Sequence, residues 1–108
     1  MTGAMIVLVT CAAAEAEKLA VTLVEEKLAA CVNAVPSVLS TYRWKGEICK
    51  ETETLLIIKS EMAFWERLQS RIKALHSYET PEMLCFSVDE GHEPYMRWLN
   101  NQLEGSIH

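Results

Sequence analysis

The side chains able to do chemistry in this 108-residue chain are few and dispersed. Four cysteines (Cys11, Cys31, Cys49 and Cys85) and three histidines (His76, His92 and His108) offer soft and borderline metal ligands. Thiolate and thioether suit Cu(I), whereas imidazole suits Cu(II) and Zn(II). No two cysteines form a C-x-x-C pair, so spacing excludes a zinc ribbon. Each lies in an apolar stretch and reads as a reduced, buried thiol rather than half of a disulfide. His76 stands at the end of a helical pattern, just before a loop, an accessible place for a ligand. Its alternative role is to close that helix, where a charged imidazole suits the C-terminal dipole. His92 and His108 are isolated and read as solvated. Lys59 ends one apolar run and Glu82 begins another, so in a sheet the two could meet, within the chain or across an interface. Tyr78 and Glu82 are acid–base types, but the chain has no nucleophile elbow, metal-protease motif or phosphate loop. Cys31 follows a helix C-terminus, which does not activate a thiol as an N-terminus would. No enzyme is expected. Met62, Trp65, Met83 and Met96 read as packing rather than a cofactor box.

The elements that must position these groups follow from hydrophobic period. Met5 to Thr10 is a continuous apolar run, the pattern of a central strand buried on both faces. Ala13 to Ala30 reads as a helix, with Ala16, Ala20, Leu23, Val24 and Leu28 on its inner stripe. Ser60 can cap a second helix, Glu61 to Leu75, whose stripe is Phe64, Trp65, Leu68, Ile72 and Leu75. Pro81 closes a short connection, and Met83 to Asp89 is the fourth strand. Gly91 turns the chain. Pro94 suits the first turn of a last helix whose inner face carries Tyr95, Trp98, Leu99 and Leu103. The tail from Glu104 to His108 reads as frayed.

Between the first two helices, Val32 to Lys59 reads as one long antiparallel hairpin. Lys45-Gly46 is its only strong turn signal, and Gly46 can take the positive φ that a two-residue loop needs. Both flanks are rich in Val, Ile, Thr, Tyr and Trp. That loop places Tyr42 opposite Cys49 and Trp44 opposite Glu47. Pro36 lacks an amide donor, which calls for an edge position or a bulge. An arm of about 12 residues spans about 40 Å, while a domain of this size is roughly 34 Å across. The hairpin should overhang its own domain. Exposed Tyr42, Trp44 and Ile48 on such an arm would be marginal alone, so an oligomer whose arms pack on neighbours is expected.

The element order β-α-β-β-α-β plus a terminal helix is the split β-α-β arrangement. It makes an α+β, ferredoxin-like sandwich of four antiparallel strands with two helices on one face, a long central hairpin and an extra C-terminal helix. One domain spanning 1–108 is expected. The net charge of −5 and the scattered Lys and Arg argue against a nucleic-acid surface. Ala4 to Ala14 lacks the charged flank of a signal peptide, and no run is long enough to span a bilayer. A cytoplasmic protein with no membrane partner is expected.

Several separate motifs carry a family resemblance. They are V-E-E-K-L-A-A-C-V-N (Val24 to Asn33), S-T-Y-R-W-K-G-E-I (Ser40 to Ile48), L-I-I-K (Leu56 to Lys59), H-S-Y-E-T-P-E (His76 to Glu82) and the spacing of Gly91, Tyr95 and Trp98. In this order, along nearly the whole length, they resemble the CutA divalent-cation tolerance family. The resemblance implies a tight homotrimer joined through the long hairpins and a role in tolerance of copper or another divalent cation. It also implies an architecture shared with PII-type signalling trimers, although a shared fold transfers no nucleotide site. Family members discussed as copper binders have a cysteine at the end of the first strand and two adjacent histidines. Here His76 matches the second histidine, Leu75 holds the other place, and Cys11 is offset by a residue or two. The resemblance thus points to His76 and Cys11 as metal ligands. The motif residues Cys31, Asn33, Tyr42, Trp44, Lys59, Tyr78, Glu82 and Trp98 combine aromatic walls with polar tips, as a small-molecule cleft between subunits would. Equally, they could be an ion pair and aromatic anchors that fix the trimer and bind nothing.

Overall fold

Strand β1 (Ala4–Cys11) lies inside a four-stranded antiparallel sheet, between β3 (Glu47–Glu61) and β4 (Leu84–Ser87), with β2 (Cys31–Trp44) on the far edge beyond β3. The computed structural model describes residues 2–105. Met5, Val7, Val9 and Cys11 of β1 are fully buried beneath the helices. The alternate residues Ile6, Leu8 and Thr10 are only half-buried. The run is therefore apolar on both faces, but only one face is covered by its own chain, where burial on both was expected.

Helix α1 (Ala13–Glu25) buries Ala16, Leu19 and Leu23. The expected stripe is rotated: Leu19 is in the core, and Val24 faces solvent. The helix is also five residues shorter than its pattern. Lys27 takes φ +60°, and the amides of Lys27 and Leu28 donate to Val24 O and Leu23 O at 3.0 Å. This is a Schellman closure with lysine in the left-handed position. It turns Leu28, Ala29 and Ala30 into the core, where all three are buried.

Strands β2 (Cys31–Trp44) and β3 (Glu47–Glu61) form the long hairpin. Lys45 and Gly46 have φ of +51° and +82°, a two-residue turn with both residues at positive φ. Tyr42 pairs with Cys49 and Trp44 with Glu47. The molecule measures 49 × 25 × 23 Å, with a radius of gyration of 14.6 Å, against about 13 Å for a compact chain of this length. Pro36 sits on the edge strand and also in a bulge. The register shifts between Val35 and Val38, and Ser37 takes φ +60°. One extra residue reverses the parity of the alternation. Hence Cys31, Asn33 and Val35 before the bulge, and Val38, Ser40, Tyr42 and Trp44 after it, pair with the odd-numbered residues of β3.

Ser60 does not cap a helix. It lies in β3, fully buried, and its Oγ donates to Leu28 O at 2.7 Å. The chain passes through a 3-10 turn (Met62–Phe64) before helix α2 (Trp65–Leu75). Strand β4 is short (Leu84–Ser87) and pairs antiparallel with β1. Helix α3 (Glu93–Asn101) buries Leu99, and Leu103 follows it into a small cluster with Ala30. Tyr95 and Trp98, expected on its inner face, are exposed. Glu104 is docked rather than frayed: its amide donates to Lys27 O at 2.9 Å, and its carboxylate pairs with Arg67. Positions 106–108, including His108, lie outside the described residues. Among the described residues no helix is long and apolar enough to cross a membrane.

Ser60→Ala removes the hydroxyl donor of a buried carbonyl, so it should cost about 1–3 kcal/mol. Chemical denaturation at fixed protein concentration reads this directly, with Ser60→Thr as the variant that keeps the donor.

Candidate functional site

β1 ends opposite Thr54, so among the described residues, positions 47–53 of β3 have no strand on that side, where the loop after α2 lies. His76 fastens this loop to the sheet. Its side chain is fully buried, and its Nε2–H donates to Thr10 O at 2.8 Å. Nδ1 accepts the Tyr78 amide at 3.0 Å and lies 3.4 Å from a Glu15 carboxylate oxygen. The bonding pattern assigns the Nε2–H tautomer. The Tyr78 ring packs on the imidazole with centroids 4.5 Å apart, and its hydroxyl donates to Glu53 Oε2 at 2.7 Å. Glu53 is only 6% exposed, so this bond keeps a buried carboxylate partnered. Burial, and then the Glu53 carboxylate, push the Tyr78 hydroxyl well above the ordinary tyrosine range. Lys73 Nζ donates to Glu79 O and closes the loop from the helix side.

Between this loop and the hairpin lies a cleft of about 620 Å³. Its walls include Thr10, Ser40, Thr41 and Cys49, three aromatic residues (Tyr42, Trp44 and Tyr78), Thr80 and four carboxylates (Glu51, Glu53, Glu79 and Glu82). No Lys or Arg is among these lining residues. Glu51 accepts a hydrogen bond from Tyr42; that bond, and then burial, raise the Tyr42 hydroxyl to about 12. A second groove, about 580 Å³ between α1, α2 and the C-terminal segment, carries opposite charges that satisfy one another. Arg71 holds Glu26 through two bonds of 2.7 Å, and Arg67 pairs with Glu104. The cleft differs in having four carboxylates and no cation among its lining residues.

Of the residues singled out in the sequence, Tyr42, Trp44, Tyr78 and Glu82 are brought together here. Cys31, Asn33 and Lys59 are placed elsewhere, at the base of the hairpin. Cys31 is opposite Lys59 in the β2–β3 register, with its Sγ 3.9 Å from Asn33 Oδ1. Among the described residues Lys59 and Glu82 form no ion pair; the four side-chain pairs present join other residues. Trp98 lies on α3 against Tyr95, ring centroids 5.6 Å apart. Cys11 is buried, and that burial, with the carboxylates of Glu15 and Glu53, raises its thiol to about 11. All four thiols are free, but Cys31, Cys49 and Cys85 are only half-buried. Glu51, Glu53 and Cys49 were legible in principle. The hairpin register alone puts them on the same face as Tyr42 and Trp44. Glu79 and Thr80 carried no such signal, because their place depends on how the loop folds back.

A family model described as CutA1 divalent ion tolerance protein matches residues 5–102. The divalent-cation tolerance protein CutA of Thermus thermophilus is 44% identical over 95 residues, 87% of this chain and 92% of that protein. The chloroplastic protein CutA of Arabidopsis thaliana is 42% identical over 85 residues, 79% of this chain. The chain spans about half the length of that plant relative and of the mouse one. Among solved structures, the Thermus thermophilus protein superposes with a TM-score of 0.90 at 40% identity, covering 93% of this chain and 98% of that one. CutA1 from Oryza sativa superposes at 0.92 with 36% identity, covering 98% and 100%.

The Tyr42–Glu51 bond has a pH signature. Its folded-state value lies above the ordinary 10.0, so its stabilising effect is complete below pH 10.0 and lost as the pH rises through about 12. Tyrosinate absorbance should show Tyr42 titrating late, and Glu51→Gln should return it toward the ordinary range.

Proposed function

Because the chain belongs to the CutA1 divalent ion tolerance family, we propose that it serves divalent-cation tolerance as a homotrimer. Its carboxylate-lined clefts hold ions such as copper weakly, each cleft completed by a neighbouring copy. The observation that carries this reading is the cleft itself: four carboxylates, three aromatic walls and no lining cation. Carboxylate oxygens suit hydrated divalent ions. Among the described residues no three His, Cys, Asp or Glu side chains are grouped to hold a metal, which favours weak, partly hydrated binding over a tight cage. His76 and Cys11 are the alternative donors. Both ring nitrogens of His76 are engaged, and the Cys11 thiol is buried and hard to ionise. The cleft carboxylates are better placed.

Self-association is supported by apolar surface that one chain leaves open. Leu84 and Phe86 of β4 are 51% and 50% exposed, and Trp44 and Ile48 near the hairpin tip are 54% and 59% exposed. The first two share the helix-free face with Leu8, Ile6, Ile57 and Leu55, as the registers show. So large an apolar face marks an interface. The aromatic walls favour a second reading, a PII-like sensor that takes a small metabolite in the same cleft. A trimer that binds neither ion nor metabolite would act as a scaffold. The free thiols suit a reducing compartment such as the cytoplasm, though relatives are named as chloroplastic and periplasmic.

Calorimetric titration with Cu(II) should show weak uptake that Glu51→Gln and Glu82→Gln each reduce several-fold. Loss of uptake in His76→Ala or Cys11→Ala, with the cleft variants unchanged, would move the ligands to that pair. A metabolite that raises the melting temperature while Cu(II) does not would favour the sensor reading. Trp44→Ala should weaken assembly by about 2 kcal/mol or more, as loss of a large aromatic anchor does. Sedimentation velocity on dilution measures it.

A further inference from the structure

Three sulfur atoms meet near the β4 edge of the sheet, at the end of β1 opposite the cleft. Cys85 Sγ lies 3.5 Å from Met5 Sδ and 3.6 Å from Met62 Sδ. The three residues come from β4, β1 and the 3-10 turn. β1 pairs Met5 with Ser87 and Val7 with Cys85, so Met5 and Cys85 are diagonal neighbours on the helix side of the sheet. Met62 is delivered from the end of β3 by a turn that its own amide fixes, donating to Gly3 O at 2.7 Å. Methionine often fills gaps in cores, and that accounts for fully buried Met5. It does not account for Met62, which is 38% exposed yet converges on the same thiol.

We propose that Cys85, Met5 and Met62 form a three-sulfur site for monovalent copper. One thiolate and two thioethers are a soft donor set that selects Cu(I) over the hard divalent ions. With metal–sulfur bonds of about 2.3 Å, a trigonal ion holds its sulfurs roughly 4 Å apart. The two observed separations are a few tenths of an ångström shorter, within the reach of flexible methionine side chains. Burial raises the Cys85 thiol as it does Cys11, but Cys85 is only half-buried. Binding forms a sulfur–copper bond as the thiol gives its proton to solvent. Thiolate and Cu(I) then sum to zero charge, which a half-buried apolar setting tolerates; a divalent ion would leave an unpaired positive charge there. Copper enters and stays as Cu(I), so no oxidant or reductant is needed. The site shares no residue with the cleft and does not depend on the reading given to it.

The test is an anaerobic titration of the reduced wild-type protein with Cu(I), supplied as its acetonitrile complex, against a chromophoric Cu(I) chelator. The expected result is one Cu(I) withdrawn per chain, with an X-ray absorption spectrum showing sulfur as the only first-shell scatterer. Cys85→Ser should abolish this uptake. Met62→Leu, an apolar change in an exposed turn, should weaken it at least tenfold with the circular dichroism unchanged. Cys31→Ser and Glu51→Gln should leave it intact, whatever the cleft does with divalent ions. Nitrogen or oxygen in the first shell, uptake retained in Cys85→Ser, wild-type affinity in Met62→Leu, or uptake lost in Glu51→Gln would each overturn the assignment.

Discussion

The mismatch in length between β1 and β3 is the constraint on which the rest of the structure depends. β1 has eight residues and β3 has fifteen. Their ladder ends at Cys11 and Thr54, and beyond it the hairpin carries its own weight. Backbone and side-chain groups on that stretch must find partners or stay wet. The loop after α2 meets part of the demand. His76 ties it to Thr10, and Tyr78 reaches back to Glu53. The cleft is the space left between this tether and the strands. Farther out on the hairpin, the same mismatch leaves Trp44 and Ile48 exposed.

The bulge at Pro36 and Ser37 decides what the cleft contains. A strand alternates faces with period two. With an unbroken register, Tyr42 and Trp44 would face away from Cys31 and Asn33. The extra residue moves them onto the odd-numbered face of β3, with Glu51 and Glu53. Proline suits this place because a bulge on an edge strand has no use for its missing amide. Ser37 accepts a left-handed backbone in exchange. A backbone irregularity thus gathers aromatic and acidic side chains on one surface.

Much of this was legible in the sequence. Lys45-Gly46 fixed the turn, the turn fixed the register, and the register paired Tyr42 with Cys49. The α+β order followed from hydrophobic period. The misses share a physical cause, tertiary packing overriding local preference. Val24 to Ala30 has good helix formers, but Leu28 and Ala29 are worth more in the core than in another helical turn, and Lys27 takes positive φ to allow it. Ser60 resembles a helix cap, yet a buried carbonyl at Leu28 claims its hydroxyl. Tyr95 and Trp98 have helical spacing with Leu99, but on so short a helix only Leu99, joined by Leu103 just beyond its end, reaches the small cluster beside Ala30. Lys59 and Glu82 each border an apolar run, and a sequence cannot show that these borders lie at different ends of the sheet. The sulfur cluster was hidden for the same reason: Met5, Met62 and Cys85 are neighbours only once β1 lies beside β4.

A sheet with helices on one face and leucine, isoleucine and phenylalanine on the other leaves an apolar surface open, which in the proposed trimer other copies cover. Burial of that face between copies of this chain is therefore the central claim. A native mass spectrum of the purified protein, recorded across a dilution series, tests this most directly. Three chains per particle at every concentration is the result that the proposed trimer predicts. A monomer that stays folded on dilution would contradict it, because the helix-free face and the hairpin would then be stable in water alone.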